Sequence, residues 1–198
     1  MREIIRGLTS IGRFTGRDSR GQFWPYALSV FAVFIVGLFV TMPLAMSTMF
    51  GEMNAFAQAH PDQATVTVGS GGYSVQLHEG AEPLPDFDMT PMFVAMAVWV
   101  AATAVMTAAA VTRRLHDRGL TGWIAILPLA LLGLGLALFP RMMNSFTSDT
   151  PDMGLFGLVM LTNVAYLISL GGLVVLLALP GQPRPNRHGP APEDRLIG

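Results

Sequence analysis

The 198-residue sequence contains no cysteine and no lysine. Without cysteine there is no disulfide, no thiolate metal site and no iron–sulfur cluster. Without lysine, arginine carries all 12 basic charges, for which codon bias is the simplest account. Charge of either sign is scarce. Asp, Glu, Lys and Arg make up 13 % of the chain, against about 25 % in an ordinary soluble domain. Hydrophobic residues reach 52 % and the mean hydropathy is +0.49. A chain so poor in charge keeps much of its surface away from water. Its length suits one domain.

The charge is also absent in blocks. Four runs, about 25–50, 91–111, 123–139 and 155–179, contain no Asp, Glu, Lys, Arg or His. About 20 mainly apolar residues cross the roughly 30 Å hydrocarbon core of a bilayer. The third run is near the lower limit and the other three exceed it. A helix of a soluble core would keep a polar face, and these keep none. The expected fold is therefore an all-α integral membrane protein with four transmembrane helices in a single membrane domain, 1–198. The first run is too long for the apolar region of a cleavable signal peptide, and no clear A-x-A site follows it.

What charge there is falls on two sides. Eleven arginines lie in the N-terminal segment, in the loop at 112–122 and in the tail at 180–198. The intervening loops hold only Arg141, together with Glu52, Asp62, Glu79, Glu82, Asp86, Asp88, Asp149 and Asp152. The positive-inside rule then places both termini and the 112–122 loop in the cytoplasm, in a multi-pass protein of the bacterial inner membrane. The loop at 51–90 is assigned to the periplasm. Within it, "ATVTVGSGGYSVQLHEG" alternates Val66, Val68, Tyr73, Val75 and Leu77 about a Gly-Ser-Gly-Gly turn, which predicts a short β-hairpin. His60 and His78 share this loop with several acids, but their spacing fits no standard metal site. The opening "REIIRGLTSIGRF" places Ile4, Leu8 and Ile11 on one helical stripe, an amphipathic segment suited to the membrane interface.

Three polar motifs border the apolar runs on the arginine-rich side: "FTGRDSRGQFW" at 14–24, "TRRLHDRGLTGW" at 112–123 and "GQPRPNRHGPAP" at 181–192. Together, and in this order, they resemble the bacterial DUF805 family of small inner-membrane proteins. That family carries F-x-G-R-x-x-R-x-x-F-W, then R-R-L-H-D-x-G-x-S-G-W, then G-x-x-G-x-N-R-x-G-x-x-P. The matching residues are Phe14, Gly16, Arg17, Arg20, Phe23 and Trp24; then Arg113, Arg114, Leu115, His116, Asp117, Gly119, Gly122 and Trp123; then Asn186, Arg187, Gly189 and Pro192. Thr121 replaces the usual serine and keeps its hydroxyl. Gln22 replaces a frequent glutamate and removes a charge. His188 stands where the family has an aromatic residue. The resemblance implies a membrane fold and brings no biochemical activity with it.

The central motif reads naturally as structure. On a helix, Asp117 lies within reach of Arg113 or Arg114, and across the fold of Arg17 or Arg20. Gly119 is placed to end the second helix, Thr121 to cap the third, and Trp123 to anchor at the interface. His116 is expected to bond a neighbouring segment near Asn186. As catalysts, His116 and Asp117 are poorly disposed, because adjacent helical residues point about 100° apart. No nucleophile stands in a recognisable elbow. The expected function is that of a non-enzymatic accessory or interaction subunit without cofactor. Binding of an anionic lipid or phosphate headgroup by Arg17, Arg20, Arg113, Arg114 and Arg187 is the alternative. An oligomeric pore ranks third, with Ala97/Ala101 and Ala104/Ala108 allowing close helix contact. The expected partners are membrane lipids and another membrane protein or a second copy of the chain; nucleic acid is not expected.

Overall fold

The computed structural model describes residues 1–69, 72–78, 90–146 and 150–192 of the chain. Its elements are α1 (Arg2–Thr9), α2 (Arg20–Ala59), β1 (Ala64–Gly69), β2 (Gly72–Leu77), α3 (Thr90–Asp117), a 3₁₀ turn (Gly122–Ala125), α4 (Ile126–Phe146) and α5 (Met153–Ala178). Four helical stretches, Arg20–Leu44, Thr90–Asp117, Gly122–Phe146 and Met153–Ala178, are long and apolar enough to cross a membrane. Their surfaces carry large apolar side chains: Phe39 is 78 % exposed, Ile168 71 % and Leu161 67 %. In water such a surface would drive aggregation; in hydrocarbon it is the ordinary exterior.

The first three spanning helices extend past their uncharged runs, because composition marks only the part that suits hydrocarbon while the backbone bonds continue into polar residues. The first helix starts at Arg20 rather than Pro25. There Ser19 and Gln22 form a reciprocal capping box: the Gln22 N–H donates to Ser19 Oγ at 3.3 Å, and the Ser19 N–H to Gln22 Oε1 at 3.1 Å. Gln22 thus supplies the acceptor that a capping box takes from either glutamate or glutamine. The second helix runs on through "TRRLHD" to Asp117. The third begins as a 3₁₀ turn. Thr121 occupies its N-cap position, but its side chain makes no capping bond, so the expected Thr121 cap is not formed. Asp152 caps α5, accepting from the Leu155 N–H at 2.9 Å.

The chain divides into two compact units. One contains Met1–Phe34 and Val100–Gly198. Its core is Phe23, Tyr26 and Val30 of α2, Ala110 and Leu115 of α3, and Leu173 and Leu177 of α5. α4 packs on α5. α1 ends at Thr9, so Ile11 lies beyond it and does not extend the apolar stripe. Gly7 is buried with the Tyr26 ring where a Cβ would stand, 2.2 Å away, which fixes the docking of α1 on α2.

The other unit is Ile35–Trp99. Residues 51–59, read from the sequence as loop, continue α2. β1 and β2 pair antiparallel, with Val66 opposite Val75 and Val68 opposite Tyr73. The connecting pair 70–71 lies outside the described residues, as do 79–89. His78 is spent on this hairpin, bonding Thr65 Oγ1 at 2.7 Å and the Asp62 carbonyl at 2.8 Å. Trp99 donates to Thr41 Oγ1 at 3.0 Å and lies against Gly37.

Candidate functional site: a buried ion-pair cluster

The arginine-rich motifs meet at the end of α3. The helix stops by a Schellman turn. Gly119 has φ +75°, which a side chain would strain, and its N–H donates to the His116 carbonyl at 2.9 Å. The Leu120 N–H reaches back to the Leu115 carbonyl at 3.0 Å. Leu120 and Leu115 share the same apolar cluster, the contact that accompanies this turn.

Two carboxylates organise the cluster. Asp117, fully buried, takes Arg17 on Oδ1 (Nη2 at 3.0 Å, Nε at 3.2 Å) and Arg114 on Oδ2 at 2.5 Å. Asp18, 2 % exposed, takes Arg113 on Oδ2 at 2.9 Å and Arg6 on Oδ1 at 2.5 Å. Arg113 therefore does not pair with Asp117, although the two lie four residues apart on one helix. A closer tertiary partner is available: the segment bearing Asp18 is fastened to α3 by a bond from the Asp18 N–H to the Arg113 carbonyl at 3.2 Å. Arg20, exposed at the first residue of α2, joins neither pair.

The remaining guanidinium donors go to main-chain carbonyls. Arg114 donates to Leu177 at 2.8 Å and Leu179 at 2.5 Å, and Arg118 to Leu176 at 3.2 Å. These are the orphan acceptors at the end of α5, where positive charge also complements the helix dipole. Arg113 donates to the carbonyls of Ser10 and Arg13. Arg17 donates to those of Gln182, Arg184 and Gly189. Four chain segments are thus tied through three buried arginines. A buried guanidinium is tolerated only when charge-paired and fully bonded, and this arrangement supplies both conditions.

The tail after α5 docks on the same end. Asn186 and Gly189 exchange main-chain bonds at 3.1 and 2.9 Å. Asn186 Nδ2 donates to the His116 carbonyl at 3.0 Å, and Arg187 Nη2 to the Gly119 carbonyl at 3.0 Å. The Gln182 N–H donates to the Asp117 carbonyl at 2.9 Å. His116 stacks on His188 with ring centroids 3.8 Å apart and planes 6° from parallel. Its Nδ1 bonds the Gly16 carbonyl at 3.2 Å. Trp24, half-buried, packs edge-on to Phe23, while Trp123 is 77 % exposed. Residues 193–198, the end of the tail, lie outside the described residues.

Burial pushes the His188 imidazole below its usual range, helped by the nearby charges of His116, Arg187 and Arg17. A histidine whose pKa falls on docking binds its proton more readily when the tail is free. Docking is then favoured above about pH 6.5 and weakens as pH falls through that value. Amide exchange at 186–189, corrected for intrinsic rates, is expected to lose protection between about pH 7.5 and about pH 5.5. An equal loss in a His188→Gln variant would show that another group is responsible.

Among the candidates, Arg17, Arg113, Arg114, His116, Asp117, Gly119, Asn186 and Arg187 come together, while Arg20 does not. Sequence reasoning passed over Asp18, Arg6 and Gln182. Asp18 had a usable signal, since it is the one acid inside "FTGRDSRGQFW". Gln182 had none, because it joins the cluster through its backbone carbonyl and N–H.

The family model DUF805, described as a protein of unknown function, matches residues 11–190. No curated protein and no solved structure matches the chain.

Proposed function

The chain belongs to the DUF805 family, and from that premise we propose that it is a non-enzymatic accessory or interaction subunit of the bacterial inner membrane, with both termini in the cytoplasm. The observation behind this reading is the use made of the polar groups. Arg17, Arg113, Arg114, Asp18 and Asp117 are all buried, and each is committed to ion pairs and backbone carbonyls. Groups held this way rigidify the arginine-rich face of the molecule as a clamp. They are badly placed to take up a phosphate headgroup, which would have to displace a buried carboxylate. The rigid face presents the docked tail and the exposed Arg20 and Arg187 for contact with a partner.

Two measurements test this reading. Purification in mild detergent is expected to retain a second membrane protein at fixed stoichiometry, and its consistent absence would count against an accessory role. For orientation, the chain's lack of cysteine makes single-cysteine labelling clean. Ser70→Cys is expected to react with an impermeant maleimide in intact spheroplasts. Reaction only after the inner membrane is opened would invert the topology.

A further inference from the structure

A groove of about 1070 Å³ lies between α2, α3, α4 and α5 within the first unit. Ligand sites generally occupy about 300–1,000 Å³, so this one is large. Its walls are apolar, built from residues such as Phe31, Ala104, Ala108, Leu132 and Leu170, with a few threonine hydroxyls. Ala104 and Ala108 form a strip of small residues at one-turn spacing. In a bilayer-spanning helix such a strip admits a close neighbour, and here it opens space instead.

One end of the groove is polar, and its chemistry is specific. His116 and His188 both line it. The Gly16 carbonyl can only accept, so His116 Nδ1 carries a proton and its Nε2 faces the groove end without a bond to it. Arg187 Nε–H can only donate, so His188 Nε2 accepts and Nδ1 carries the proton. That leaves His116 Nε2 and the His188 Nδ1–H donor with no protein partner among the described residues. Arg187 brings positive charge to this end, beside His188. Arg187 bonds only neutral groups and faces no carboxylate among the described residues. An apolar channel that ends in imidazoles beside an unneutralised guanidinium complements an acyl chain joined to an anionic head.

We propose that this groove binds one anionic glycerophospholipid, with an acyl chain along Ala104, Ala108 and Leu132 and its phosphate at His188 and Arg187. The site lies beside the buried ion-pair cluster and uses none of its carboxylates. The inference rests on the bilayer placement proposed above and not on the accessory role. Resistance to alkaline carbonate extraction checks that placement separately.

Delipidated protein in detergent, titrated with phosphatidylglycerol and followed by native mass spectrometry, is the test. One lipid per chain is expected, held about fivefold or more tighter than phosphatidylcholine, the preference that one basic residue near the surface supplies. Arg187→Gln is exposed and should leave the fold intact while bringing the two lipids to parity. Ala108→Phe should abolish both. If Ala108→Phe fails to fold, brominated phosphatidylglycerol reads the site without it. Saturable quenching is expected in a Trp99→Phe background, where only Trp24 and Trp123, both in the groove wall, remain. Equal affinity for both lipids in the native chain, or quenching that never saturates, would overturn the proposal. So would inorganic phosphate competing as strongly as the lipid, since the groove would then be idle.

Discussion

Asp117→Asn is expected to destabilise the detergent-solubilised protein by about 3–5 kcal/mol, the cost of removing one partner from a buried charge pair. The carboxylate is fully buried and joins Arg17, from the N-terminal segment, to Arg114, on its own helix. Asparagine keeps the volume and one acceptor but leaves two guanidinium groups without a counter-charge in a medium that solvates them poorly. His116→Gln should do less, about 1 kcal/mol, because a half-buried ring with one bond to a carbonyl is lost. Thermal denaturation of both variants in one detergent gives the comparison. If both keep full stability while a cellular phenotype disappears, the motif is a working site and the clamp is wrong.

Arg114→Met should be comparably severe for a different reason. Methionine preserves much of the bulk, so the loss is polar. The carbonyls of Leu177 and Leu179 forfeit a donor at the end of α5, at about 1–3 kcal/mol for the buried Leu177 group left unsatisfied. Asp117 loses its nearer cation as well. Beyond the lower melting temperature, amide exchange should rise in the last turn of α5 and the start of the tail, with α4 little changed. Uniform loosening of every helix would mean that Arg114 does not act through those carbonyls.

Four spans were legible because their signal is one of composition: four uncharged runs matched to the thickness of a bilayer. The end of α3 was legible too, since Gly119 is the residue a left-handed turn selects. What the sequence hid was the pairing. Asp117 has arginines three and four residues back on one helix, and local geometry does not choose between them. The choice was made by Asp18, nearly a hundred residues away, which draws Arg113 and leaves Arg114 to Asp117. The capping box of Ser19 and Gln22 was readable as S-x-x-Q, but the apolar pattern pointed to a later start at Pro25. The expected Thr121 cap failed because the chain enters α4 through a 3₁₀ turn, and the sequence does not mark that tightening. The acceptors at Leu177, Leu179, Gln182 and Gly189 are main-chain atoms, which no residue type announces. The groove was half visible, in that Ala104 and Ala108 were noticed but read as a contact strip.

Arg17 and Asp117, 100 positions apart, are energetically coupled through the buried carboxylate. A double-mutant cycle of Arg17→Gln with Asp117→Asn, read as unfolding free energy in detergent, tests this coupling most directly. Direct partners in a buried pair should give an interaction energy of about 0.5–3 kcal/mol, with the double variant less damaged than the sum of the singles. Strict additivity would contradict the clamp.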